Sequence, residues 1–121
     1  MKFLRMLLEE SLEWRKVHGW SYEVSENGDV RNKKSKHILS PWKHTGRGTT
    51  YLRVTLRKGK SRRKNFRVHR LVAMAFLPNP HRRKEVDHID NNSFNNHYTN
   101  LEWVTQSENS RRRWEYRDSI I

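Results

Sequence analysis

Asp87 and His88 stand side by side in the run V-D-H-I-D, and a carboxylate beside an imidazole supports two kinds of chemistry. The carboxylate is a hard oxygen ligand for a divalent cation, and a neutral imidazole accepts a proton. On a strand, adjacent side chains leave opposite faces of the backbone, so the two groups address different surroundings. The same stretch runs on through an asparagine-rich segment to Asn100, an apolar L-E-W-V run, and T-Q-S-E-N ending at Asn109. That order suggests a metal site.

The elements needed to position these groups are readable around them. Val86 to Ile89 reads as a short strand, and Asp90 to Asn100 as a loop whose asparagines tolerate left-handed backbone and make side-chain turns. Leu101 to Val104 is the second strand. Thr105 with Glu108 three residues on forms a capping box, so a helix starts at Gln106, places Asn109 in its first turns and continues through Arg111, Arg112 and Arg113. Strand, loop, strand and helix then let Asp87, His88 and Asn109 converge. Asn92, Asn95 and Asn96 read as loop formers, with a substrate contact as the alternative for Asn96. His81 and His97 fall in loops and read as solvated.

Upstream, His69 to Phe76 has helix-forming composition with Leu71, Val72, Ala75 and Phe76 as its apolar stripe, ended by Pro78 and Pro80. His69, at its entry, reads as a structural hydrogen-bonder without a catalytic role. Tyr51 to Arg57 alternates: Leu52, Val54 and Leu56 point one way and Arg53, Thr55 and Arg57 the other, giving a core face and a cationic face. Lys58 to Lys64 reads as a basic turn around Gly59, with Phe66 and Val68 in a returning strand. Further back, Tyr22 and Val24 form a strand, Val30 begins the next, and Glu26-Asn27-Gly28-Asp29 makes them a hairpin. Lys33 to Lys36 is a second turn, Ile38 and Leu39 begin another strand, and His44 to Thr50 is a flexible connection. Phe3, Leu4, Leu7, Leu8, Leu12 and Trp14 recur at spacings of three and four, which predicts an amphipathic helix over residues 3–15, packed on the body or used for self-association.

The charge narrows the partner. The formal net charge is +13, and between Asp29 and Glu85 there is no acidic residue while 18 of the 26 Lys and Arg lie there. A single-sign field of that length attracts polyanions. Duplex DNA is the expected partner, contacted by Arg53, Arg57, Lys58, Lys60, Arg62, Arg63, Lys64, Arg67, Arg111 and Arg112. The plainer alternative is a cationic face that only keeps the sheet soluble. A membrane surface is disfavoured because the cations interleave with strand positions rather than lining one amphipathic helix. With no cysteine there is neither a disulfide nor a Cys-ligated zinc site. The start, MKFLRMLLEE, is broken by Arg5 and closed by Glu9 and Glu10, unlike a signal peptide, and nothing is long enough to span a bilayer. A soluble, cytoplasmic protein with a small aromatic core is expected.

Taken together, FRVHRLVAMAF, VDHID, the NN…NLEWVT strand and the Asn109 helix resemble the HNH endonucleases of the phage and intron-encoded homing type. The upstream WSYEVSENGDVRN resembles the N-terminal DNA-binding module that precedes the nuclease part in that family. The resemblance implies an α+β chain in which small antiparallel sheets precede a ββα-metal nuclease motif. The implied division is a helix over residues 1–16, a basic β module over 17–68 and a nuclease module over 69–121. It further implies Asp87 and Asn109 as metal ligands, His88 as general base, and Asn100 as the residue that orients the loop and His88. Asn109 stands where many members have His. A carboxylate with an amide oxygen is a hard donor set, suited to Mg2+ or Mn2+, one cation per site. Asn91 replaces the usual loop glycine, and with the sequence ending at Ile121 the C-terminal helix-turn-helix module of longer relatives is not expected. The implied activity is hydrolysis of duplex DNA, nicking one strand and leaving 5′-phosphate and 3′-hydroxyl ends. One site per chain favours a monomer, and the terminal helix leaves a dimer open. The competing readings are a non-catalytic DNA binder of this fold and a nuclease acting on RNA.

Overall fold

The computed structural model describes residues 12–120. Turn chemistry sets the first sheet. Gly28, at φ +92°, closes the turn between β2 (Tyr22–Ser25) and β3 (Val30–Asn32), which pair antiparallel with Val24 opposite Val30. The buried Ser25 hydroxyl accepts from the Asn27 and Asp29 amides and so satisfies the turn. β1 (Trp14–Lys16) adds to the other edge of β2. The helix expected over residues 3–15 therefore ends differently: Trp14 and Arg15 are in a strand, and residues 3–11 lie outside the described residues. Strand pairing and the Arg31 guanidinium, 3.8 Å over the Trp14 ring, override the helical spacing there. Ile38 makes only an isolated bridge to Arg31 rather than opening a strand.

The second sheet has the order β4 (Trp42–Gly46), β5 (Thr49–Lys58), β6 (Arg62–Arg67), all antiparallel. Its first half corrects the flexible connection expected over His44 to Thr50. Arg47 and Gly48 both have positive φ, 52° and 83°, which is the two-residue hairpin turn whose twist matches that of the strands. K-H-T-G-R carries no apolar alternation, so nothing in it marked a strand. The basic turn is also shorter than expected, since β6 starts at Arg62.

Val68, expected in the returning strand, is instead the first residue of α1 (Val68–Phe76), which buries Val68, His69, Leu71, Val72 and Ala73. β7 (Glu85–His88) and β8 (Leu101–Val104) form the third, two-stranded sheet, and α2 (Gln106–Ile120) follows. α1 packs on strands of all three sheets. One apolar cluster runs from Val17, Val24 and Val30 through Val54 and Leu56 to Leu71, Val86 and Leu101, so it joins both sides of the expected boundary at residue 68. Among the described residues, thirteen buried apolar side chains, mostly valine, make the core. Apart from the buried Tyr22, the aromatic rings packed on this core, Trp20, Phe66, Phe76, Tyr98 and Trp103, are only partly buried, and Trp20, Phe66 and Phe76 carry cations on their faces. Among the described residues no helix is long and apolar enough to cross a membrane.

Candidate active site

β7 delivers its two chemical residues to different faces. His88 is buried, on the side of Val86 and opposite Leu101, while Asp87 is opposite Glu102. The helix start brings in the third. Thr105 Oγ1 accepts from the Glu108 amide and Thr105 O from the Asn109 amide, so the first turn is fixed by the capping expected from the sequence. The Glu108 carboxylate lies 3.8 Å from Arg83 rather than closing the reciprocal half of a capping box. Asn109 is 8% exposed, and Asp87, His88 and Asn109 line one cleft of about 330 Å³ with Tyr51 and Arg113.

The His88 ring is held from three sides. Asn96 Oδ1 lies 2.8 Å from Nε2. An amide oxygen only accepts, so Nε2 carries the proton and Nδ1 keeps the lone pair of a base. His69 and Tyr51 supply the other two sides, with ring centroids 4.8 and 6.1 Å from His88, and 5.0 Å from each other. Burial lowers the His88 pKa, opposed by the Asn96 hydrogen bond and the Asp87 and Asp90 carboxylates. His69 is pushed down to about 3, first by burial and then by His88, Arg67 and Arg70. Both imidazoles are neutral at pH 7.

The Asn100 side chain lies within the loop it is expected to orient. Its Nδ2 donates to Asp90 Oδ1 and to Asn95 O, and its Oδ1 accepts from the Asp90 amide, which ties the loop shut. The ring of His88 is held by Asn96 instead. Asp90 gathers Asn95, the Asn92 amide and Asn100, and these bonds hold its carboxyl below the usual range. Asn91 takes the left-handed conformation, φ 62°, that its replacement of glycine required. Asn96 was obscured in the sequence by the asparagines around it. Its carrier is the N-terminal turn: Tyr98 N bonds Glu26 O, and a Cβ on Gly28 would come 2.9 Å from Asn96 Cβ. His97 is half-buried and caps the short 3-10 turn Tyr98–Asn100 by accepting from Thr99 N, rather than being merely solvated.

The expected DNA-contacting cations separate by register. Arg53 pairs with Arg67 and Arg57 with Arg63, on the face of the second sheet that carries Tyr51. Lys58, Arg62 and Lys64 belong to the alternate register; Lys58 lies over Trp20 and Lys64 over Phe66. Lys60 sits in the exposed turn. Arg112 Nη1 is 3.2 Å from Asp87 Oδ2 and 2.9 Å from Glu102 Oε2, so its charge is engaged by two carboxylates of the protein. Arg111 is exposed, 3.9 Å from Glu115. Among the described side chains of α2, Arg113, one turn after Asn109, is the cation that faces the cleft, and it donates to the Tyr51 hydroxyl. The i, i+4 spacing from Asn109 was the signal for it. With Arg47, Arg67 and Asn109 it lines a second cleft of about 330 Å³, a cationic extension of the first.

A divalent cation fits this donor set. A carboxylate and an amide oxygen open into one cleft, Arg112 occupies only one Asp87 oxygen, and water and phosphate oxygens complete a hard-cation shell. Among the described residues no three His, Asp, Glu or Cys gather into an all-protein cage.

Comparison with known proteins matches residues 66–111 to the HNH endonuclease family model and residues 13–57 to the NUMOD4 motif. The chain is 42% identical over 100 residues to DNA endonuclease I-HmuI of Bacillus phage SP01, covering 81% of this chain and 55% of that protein. An HNH endonuclease of Acanthamoeba polyphaga mimivirus is 37% identical, over 81% of this chain and 28% of its own length. The solved structure describing DNA binding and cleavage by the HNH homing endonuclease I-HmuI superposes with a TM-score of 0.74 at 39% identity, covering 86% of this chain and 59% of that one. The chain thus spans between about a quarter and somewhat over half the length of these relatives.

Proposed function

Because the chain belongs to the HNH endonuclease family, we propose that it hydrolyses a phosphodiester of duplex DNA with the help of Mg2+ or Mn2+, nicking one strand and leaving 5′-phosphate and 3′-hydroxyl ends. The observation that carries this reading is the His88 ring: buried, neutral, and fixed by Asn96 with Nδ1 free, in the cleft that Asp87 and Asn109 also line. A neutral Nδ1 takes the proton of an attacking water. Asn96 accepts from Nε2–H throughout and stabilises the imidazolium as it forms, the role of a hydrogen-bonded orienting group. A cation on Asp87 and Asn109 would neutralise charge on the phosphate and on the departing 3′ oxygen. Arg113 and Arg67 line the adjoining cleft, where guanidinium forks suit flanking phosphates. The outer face of the second sheet supplies affinity for the duplex.

The test is incubation of supercoiled plasmid with the protein and Mg2+ or Mn2+. Open-circular product that disappears with chelator and with Asp87→Ala is expected. Plasmid that is bound but stays supercoiled would make the chain a binder, and degradation of RNA in preference to duplex DNA would reassign the substrate.

A further inference from the structure

The register of the second sheet sets an uncharged pair in the middle of its cationic face. Moving along β5 away from Tyr51, the outward residues are Arg53, Thr55 and Arg57, and their partners on β6 are Arg67, Asn65 and Arg63. Two arginines directly opposite one another destabilise a sheet, and here it happens twice. Among the described residues no carboxylate pairs with any of the four, and Arg53 Nε is buried without a hydrogen-bond partner. This face is built for an external anion. Its centre is different: Thr55 Oγ1 donates to Asn65 Oδ1 at 2.7 Å, which fixes the amide plane of an exposed residue. The Asn65 Nδ2 donors have no partner among the described residues, and Thr55 Oγ1 keeps its lone pairs.

From these positions we infer that Thr55 and Asn65 read base edges in the DNA major groove and give the nuclease its sequence preference. The inference rests on the duplex-DNA reading above and adds the source of specificity to it. At about 3.4 Å per strand residue, the two arginine rows lie about 14 Å apart, close to the ~12 Å width of the major groove. Arginines of that spacing reach the phosphates on either side, while the shorter Thr55 and Asn65 face the groove floor, which admits a two-stranded ribbon. Guanidinium contacts to phosphate position the protein without reading sequence; a fixed amide meets a purine edge with a donor for N7. Thr55 is four residues from Tyr51, whose ring stacks on His88. The face that would read bases is therefore continuous with the active-site cleft that Tyr51 lines.

Bind-and-select from a randomised duplex pool, in chelator so that no strand is cut, tests this without requiring catalysis. The expected result is a motif for the wild type in which Asn65→Ala loses roughly tenfold preference at one base pair and keeps the rest, with unchanged melting temperature. Arg57→Ala should weaken all sequences alike. Nicking of the selected duplex in Mn2+ is then scored separately. A wild type that enriches no motif, or an Asn65→Ala motif identical to the wild type's or uniformly weakened, overturns the inference. A motif lost as expected with no nicking in Mn2+ would leave the readout standing and remove the proposed catalysis.

Discussion

Replacing His69 by Phe should make the protein less sensitive to acid. His69 is 3% exposed, and burial against Tyr51 and His88 holds its pKa at about 3 against an ordinary 6.5. The folded state then binds no proton on this ring at pH 4, whereas the unfolded chain does. Stability contributed by the neutral buried ring is complete above pH 6.5 and is lost as pH falls toward 3, at up to about 1.4 kcal/mol per pH unit. Between pH 6 and pH 4 the two pKa values give a loss of about 2.5 kcal/mol. His69→Phe keeps a ring between Tyr51 and His88 but cannot be protonated. Urea unfolding of both proteins at pH 6 and pH 4 reads the difference directly. The stability gap should move in favour of His69→Phe by about 2 kcal/mol over that interval, allowing for relaxation of the pocket. Equal pH slopes for the two proteins would mean that His69 is not held neutral by burial, and the packing account of His88 would fall with it.

Three further predictions concern the ring's supports and the cations. Asn96→Leu leaves a buried ring N–H without an acceptor, worth about 1–3 kcal/mol, and should lower single-turnover nicking about 10-fold to 100-fold with DNA affinity unchanged; an unaltered rate would exclude Asn96 as the orienting group. Gly28→Ala places a Cβ at 2.9 Å from Asn96 Cβ at a backbone φ of +92°, so it should cost about 1–3 kcal/mol in urea unfolding and also slow nicking, although Gly28 lies in the distant N-terminal hairpin. Its effect on rate in folded protein should vanish in the Asn96→Leu background. In salt titrations of DNA affinity, Arg57→Ala should reduce the slope of log affinity on log salt by about 0.9, whereas Arg112→Ala should leave it unchanged, because that guanidinium is bound to Asp87 and Glu102.

The strand, loop, strand, helix order of Val86 to Asn109 was legible because each piece carries its own local signal: an apolar run, asparagine turns, and Thr105 as a cap. The alternation of Tyr51 to Arg57 likewise separated the faces of β5 correctly. Positions decided by partners distant in sequence were not legible. Trp14 joins a strand because Ser25 is opposite it, and β4 forms because Arg47 and Gly48 accept left-handed backbone. Asn96 reaches His88 only because Gly28, some seventy residues earlier, leaves room. Arg112 and Arg113 are neighbours of one type, and only the helix phase sends one to Asp87 and the other to the cleft.

In the proposed reaction His88 is the base, in a cleft it shares with Asp87 and Asn109. Single-turnover nicking of an end-labelled duplex by His88→Ala, in saturating Mn2+ and with DNA binding measured in parallel, tests it most directly. The rate should fall by about 10² to 10⁴ with affinity retained. An unchanged rate at equal affinity would contradict it.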